Sequence, residues 1–100
     1  MDTLRNNKRA PTSPGALLRE VVLPELGITQ GELASRLGVS RRTISEIPHE
    51  HRRVTPDMAI RLGKLLGNGA GLWLRMQLAV DVWTLEQQGD YSNIEQLKAA

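Results

Sequence analysis

Apolar residues recur along this chain at the three-and-four spacing of amphipathic helices, which predicts an all-α fold. Leu17, Leu18, Val21 and Val22 define a first helix. Ser13-Pro14 opens it, with Ser as cap and Pro at the first helical position, and Pro24 is expected to end it near Val22 or Leu23. Leu26 and Ile28 are expected to pack beneath the unit that follows. Leu33, Ala34 and Leu37 make the apolar stripe of a short second helix, and Ile44 and Ile47 the inward face of a third. Met58, Ile60, Leu62, Leu65 and Leu66 supply the core face of a fourth, opened by Thr55-Pro56-Asp57 and closed by Gly67-Asn68-Gly69.

A fifth helix, from about Ala70 to Gln88, carries two apolar stripes. Trp73, Met76, Val80 and Trp83 lie within about 80° of one another, with Leu72 and Ala79 extending that face. Leu74, Leu78 and Leu85 form the second stripe, with Asp81 in line. Polar positions at Gln77/Thr84 and Arg75/Glu86 separate the two. One buried face suffices for a helix packed on its own domain, so the second stripe implies a partner or a tail folded against it. Ser92 and Glu95 form a capping box that predicts a short C-terminal helix over 93–98. The organisation is thus a flexible arm over 1–12, a compact five-helix domain over 13–88 and a tail over 89–100.

Residues 29–47, TQGELASRLGVSRRTISEI, hold the most informative local signals. Thr29 and Glu32 form a capping box that starts a helix at Gln30. Gly38 stops it, since Gly adopts the left-handed conformation without a Cβ penalty. Ser40 caps the next helix, which Pro48 cuts short near Ile47. At 100° per residue, Arg41, Arg42 and Ser45 face away from Ile44 and Ile47.

One hundred residues allow one domain. The absence of cysteine excludes disulfides and thiolate metal sites and fits a cytoplasmic location. No apolar run approaches a membrane span, and the polar N-terminus has no signal-peptide core. The net charge is only +2, but residues 1–53 hold nine Lys/Arg against six Asp/Glu, whereas residues 54–100 hold four against five. The front half would face an anion. His49 and His51 do not form an H-E-x-x-H pattern, and two histidines do not make a tetrahedral site, so no metal or other cofactor is expected. No phosphate loop, carboxylate pair or nucleophile triad has credible spacing, and catalysis is not expected.

Gln30, Leu33, Ala34, Gly38, Val39, Ile44 and Ile47 resemble the helix-turn-helix of bacterial and phage repressors. With SPGALLREVVLPELGIT, SEI…RRVTPDMAIRLGKLLG and LWLRMQ…DVW, residues 13–86 resemble the HigA-type antitoxins, a branch of the XRE-like regulators. That resemblance implies a homodimer that binds a palindromic double-stranded operator and a RelE-like mRNA-cleaving toxin. The chain departs from the family pattern at Pro48, at the PHEHRR loop and at Gly69-Ala70-Gly71.

The expected DNA-contacting residues are Thr29, Gln30, Ser40, Arg41, Arg42, Thr43, Ser45, Arg52 and Arg53. Thr29 and Gln30 would clamp phosphate, Arg41, Arg42 and Ser45 would enter the major groove, and Thr43 would touch the backbone. Arg52 and Arg53 would reach phosphate or remain solvated. Leu74, Leu78, Asp81 and Leu85 are the expected dimer or partner surface. Two other readings share part of this pattern: a protein-binding adaptor whose DNA face is vestigial, and a stand-alone phage-type repressor without a toxin.

Overall fold

The computed structural model describes residues 9–49 and 52–98. Residues 1–8 of the expected arm, His51 of the loop and residues 99–100 of the tail lie outside the described residues. Among the described residues the chain forms five helices and no strand. The first, α1, is continuous from Pro14–Leu17 through a π-helical stretch, Leu18–Val22, into Leu23–Leu26. The others are α2 (Gln30–Leu37), α3 (Arg41–Glu46), α4 (Pro56–Leu66) and α5 (Ala70–Gln88). None of these helices is long and apolar enough to cross a membrane.

Four helix starts are built by hydroxyl caps. Ser13 Oγ accepts from the Ala16 amide at 3.0 Å, Thr29 Oγ1 from Glu32 at 3.0 Å, Ser40 Oγ from Thr43 at 3.1 Å, and Thr55 Oγ1 from Met58 at 3.3 Å. Each satisfies one of the amides that a helix start leaves without a partner. The expected capping box at Thr29 forms only in half, because the Glu32 carboxylate accepts instead from Arg36 at 3.2 and 3.3 Å.

Pro24 does not end α1, contrary to the expectation from sequence. The Leu23 amide donates to Leu18 O, five residues back, and this widened turn directly precedes the proline. A proline inside a regular α-helix collides with the carbonyl four residues earlier. The π turn realigns that carbonyl, so the helix continues to Leu26 and stops at Gly27, which has φ 65°. Leu26 consequently lies exposed, whereas Ile28 packs against the core.

The core gathers Leu18 from α1, Leu33, Ala34 and Leu37 from α2, Ile44 from α3, Ile47 and Val54 from the following segment, Met58, Ala59 and Leu62 from α4, and Trp73 from α5. Trp73 is fully buried and satisfies its indole N–H by donating to Asn68 Oδ1 at 3.0 Å. The core stripe of α4 runs through Met58, Ala59, Leu62 and Gly63, so Ile60 and Leu65, expected in the core, are exposed. On α5 the expected polar separator Gln77 is buried beside Trp73. The expected helix over 93–98 is absent. Ser92 directs its hydroxyl and amide to Asp90 at 2.6 and 3.0 Å, and Ile94 and Leu97 remain exposed.

Gly63 sets how closely α4 approaches the start of α5. A Cβ there would lie 2.4 Å from the Gly69 carbonyl carbon and 2.5 Å from the Ala70 nitrogen. Both are backbone atoms, so neither can turn aside. Gly63→Ala is therefore expected to destabilise the fold by about 1–3 kcal/mol, the usual range for overpacking. Thermal denaturation should show a midpoint lowered by about 4–8 °C for each kcal/mol. An unchanged midpoint would contradict this packing.

Candidate nucleic-acid interface

The sequence 29–47 folds as two short helices joined by a tight turn. Gly38 takes φ 73°, and the Gly38 and Val39 amides donate back to Ser35 O at 3.2 Å and Ala34 O at 3.0 Å. That closure satisfies carbonyls which the end of α2 would otherwise leave open. Arg61 of α4 completes it by donating from Nη1 to Leu37 O at 2.9 Å while its Nε holds Asp57 at 2.9 Å. α3 then presents Ile44 to the core, and Ile47 and Pro48 beyond its end are also buried. The Pro48 carbonyl accepts a hydrogen bond from Arg19 of α1. Arginines from two other helices thus hold the exits of α2 and α3, and neither contact is visible in the local sequence pattern.

Arg41 and Arg42 project outward, as the periodicity predicts. The Arg42 side chain is 83% exposed and only loosely held by Glu46 at 3.4 Å. Arg41 leans back across the start of α2. A Cβ on Gly31 would sit 3.7 Å from Arg41 Nε and 3.9 Å from Thr29 Oγ1. Positive charge, the Thr29 hydroxyl and the α2 N-terminus therefore share one spot, while Arg42 contacts Glu46 of its own helix. Gln30 and Ser45 are half-buried and Ser40 is exposed.

The remaining expected contacts are engaged within the protein. Thr43 is half-buried, with Oγ1 2.8 Å from Ser40 Oγ and 3.3 Å from Arg52 Nη1. Arg52 grips Glu46 through two nitrogens at 2.7 and 3.1 Å. The hydrogen bond from Arg52 holds the Glu46 carboxyl below its ordinary value of 4.5, aided by the charges of Arg52 and Arg42 and opposed by partial desolvation. Arg53 pairs with Asp81 of α5. α3 and the segment that follows it thus carry four arginines, three of them paired with the carboxylates of Glu46 and Asp81. Among the described residues no group of three or more His, Cys, Asp or Glu side chains could hold a metal ion.

On α5, Leu74 packs against the core, whereas Leu78 and Leu85 of the same stripe are 61% and 55% exposed. Val82 joins them at 46%. Leu78, Ala79, Val82 and Trp83 line an open groove of about 440 Å³ with Arg75 and Glu86 at its margins. Asp81 lies at the inner edge of this face, tied to Gln77 and Arg53.

Comparison with known proteins gives concordant results. Residues 18–72 match the family model described as Helix-turn-helix. The chain is 40% identical over 80 residues to antitoxin HigA-1 of Vibrio cholerae, covering 80% of this chain and 75% of that protein. A solved structure of antitoxin GraA in complex with its operator superposes with a TM-score of 0.84 at 39% identity, covering 96% and 99% of the two chains. Pseudomonas aeruginosa antitoxin HigA, solved with the higBA promoter, gives 0.81 at 35% identity, covering 88% and 99%.

The Glu46 contacts predict a specific acid response. A carboxyl whose value is depressed in the folded state adds stability that is present above its ordinary value and is lost as pH falls through the depressed one. The stability difference between the native protein and Glu46→Gln is therefore expected to be constant at neutral pH and to shrink below about pH 4.5. Urea unfolding across that range measures it, and a difference that stays constant down to pH 3 (roughly the lower end of carboxylate titration) would contradict the assignment.

Proposed function

The chain belongs to the helix-turn-helix family of XRE-like regulators that includes the HigA antitoxins, and from this we propose that it is a sequence-specific repressor and the antitoxin of a toxin–antitoxin pair. The observation that carries the DNA-binding reading is the outward projection of Arg41 and Arg42 from a helix whose other side is buried. In the proposed complex α3 enters the major groove. Arg42, with its side chain 83% exposed, offers its guanidinium to guanine O6 and N7. Arg41, beside Thr29 and the start of α2, joins Thr29 and Gln30 on a phosphate. Ser40 and Ser45 flank these contacts, and Thr43 and Arg52 act from the edge of the same face.

Reading a palindrome requires a second copy. The exposed Leu78, Val82 and Leu85 of α5 supply the surface through which two chains associate, placing two α3 helices about one DNA turn apart, roughly 34 Å. The chain acts by binding and not by catalysis, in the cytoplasm where its DNA target resides. Its protein partner is a RelE-like mRNA-cleaving toxin, by analogy with antitoxins of this family. The adaptor reading without DNA binding is not favoured, because similar antitoxins are solved with promoter or operator DNA. Co-purification with the product of the adjacent reading frame separates an antitoxin from a stand-alone repressor.

Two outcomes test this reading. In titrations on a library of operator variants, Arg42→Ala should lose about 1–3 kcal/mol and relax preference at one base pair, whereas Gln30→Ala should weaken all sequences alike. Equal loss on every sequence for Arg42→Ala would remove it from the base-reading set. Leu78→Glu should shift sedimentation from dimer to monomer by setting like charges opposite each other at the symmetric contact. A dimer that survives the substitution would move the interface elsewhere.

A further inference from the structure

A chain of polar contacts ties the segment between α3 and α4 to the middle of α5. Gln77 is nine-tenths buried, and its Oε1 accepts the Val54 amide at 2.8 Å. Val54 is itself buried, so this N–H would otherwise have no partner. The same side chain donates from Nε2 to Asp81 Oδ1 at 3.0 Å. That contact fixes the Asp81 carboxylate and leaves Oδ2 directed at Arg53. The next residue back, Arg52, reaches the opposite way to Glu46 and Thr43 on α3.

The two members of the Arg53–Asp81 pair are not equally free. The Arg53 side chain is 62% exposed, whereas Asp81 is 28% exposed and held by Gln77. The guanidinium can swing to another anion, and the carboxylate cannot follow it. A surface pair of this kind is weak and exchanges readily when a competing anion arrives. In the proposed complex, a DNA phosphate beside the segment that carries Arg52 and Arg53 is such a competitor.

Resting on the DNA-binding reading above, we propose that Asp81, oriented by Gln77, is a positioning residue that competes with DNA phosphate for Arg53 and thereby restrains operator affinity. The carboxylate acts as an internal substitute for phosphate. Removing its charge releases Arg53 to the DNA.

The test uses the full chain and two duplexes, one from immediately upstream of its own coding sequence and one of unrelated sequence, titrated over a range of salt concentrations. Asp81→Asn keeps an Oδ1 acceptor for Gln77. It should tighten upstream-duplex binding by about 3–10-fold at low salt, and the slope of log K against log salt should steepen by up to about 0.9, the value of one added phosphate contact. Asp81→Ser, which removes the carboxylate by a different route, must change affinity in the same direction. In the Arg53→Gln background neither substitution should increase affinity. Unchanged or weaker binding with an unchanged slope would overturn the proposal, as would a gain that persists without Arg53. A native chain that binds both duplexes equally would overturn the DNA-reading assignment itself, an outcome distinct from the others.

Discussion

A six-residue helix does not persist alone in water, because helices shorter than about 12–15 residues do not repay their nucleation cost. α3 has six residues, Arg41–Glu46, and exists because the rest of the fold holds it. Ile44, together with Ile47 just beyond its end, anchors one side in the core, and Ser40 closes its start. Arg19 holds the Pro48 carbonyl beyond its end, and Arg61 pins the preceding helix at Leu37. The outward side is thereby fixed in direction without contributing to the fold. That freedom allows it to carry two adjacent arginines that a packed helix could not accommodate.

The arginines divide by environment and not by sequence position. Arg19 and Arg61 are structural, with their charge directed at backbone carbonyls and at the carboxylates of Glu20 and Asp57 respectively. Arg52 and Arg53 are tethered to Glu46 and Asp81. Arg41 and Arg42 face solvent, and they differ: one lies over the start of α2 and the other is 83% exposed with a long contact to Glu46. A net charge of only +2 therefore understates the interface, because four arginines gather on and just after α3 against the two carboxylates of Glu46 and Asp81.

Much of this was legible in the sequence for a local reason. A cap hydroxyl meets an amide three residues on, and a helix-ending glycine acts on its own turn. Ser13, Thr29, Ser40, Thr55 and Gly38 were accordingly identifiable from residue type and spacing alone. Contacts that cross the chain left no such trace. Arg19 and Pro48 are 29 residues apart, Arg61 and Leu37 24, and Gln77 and Val54 23. Periodicity also classes any polar residue as outward, and so placed Gln77 on the wrong side although its amide is what lets it be buried. Pro24 departs from expectation for a related reason, since the rule against proline assumes an α-helical register that the π turn abandons.

The central claim is that the outer face of α3 lies in the major groove, in two copies one turn apart. Dimethyl sulfate methylates guanine N7 in the major groove and adenine N3 in the minor groove, so a footprint on the DNA upstream of the gene separates the two modes. The account predicts guanine N7 protection in two patches with centres about 10 base pairs apart and adenine N3 left reactive between them. Protection confined to adenine N3, or a single patch without a symmetry-related partner, would contradict it.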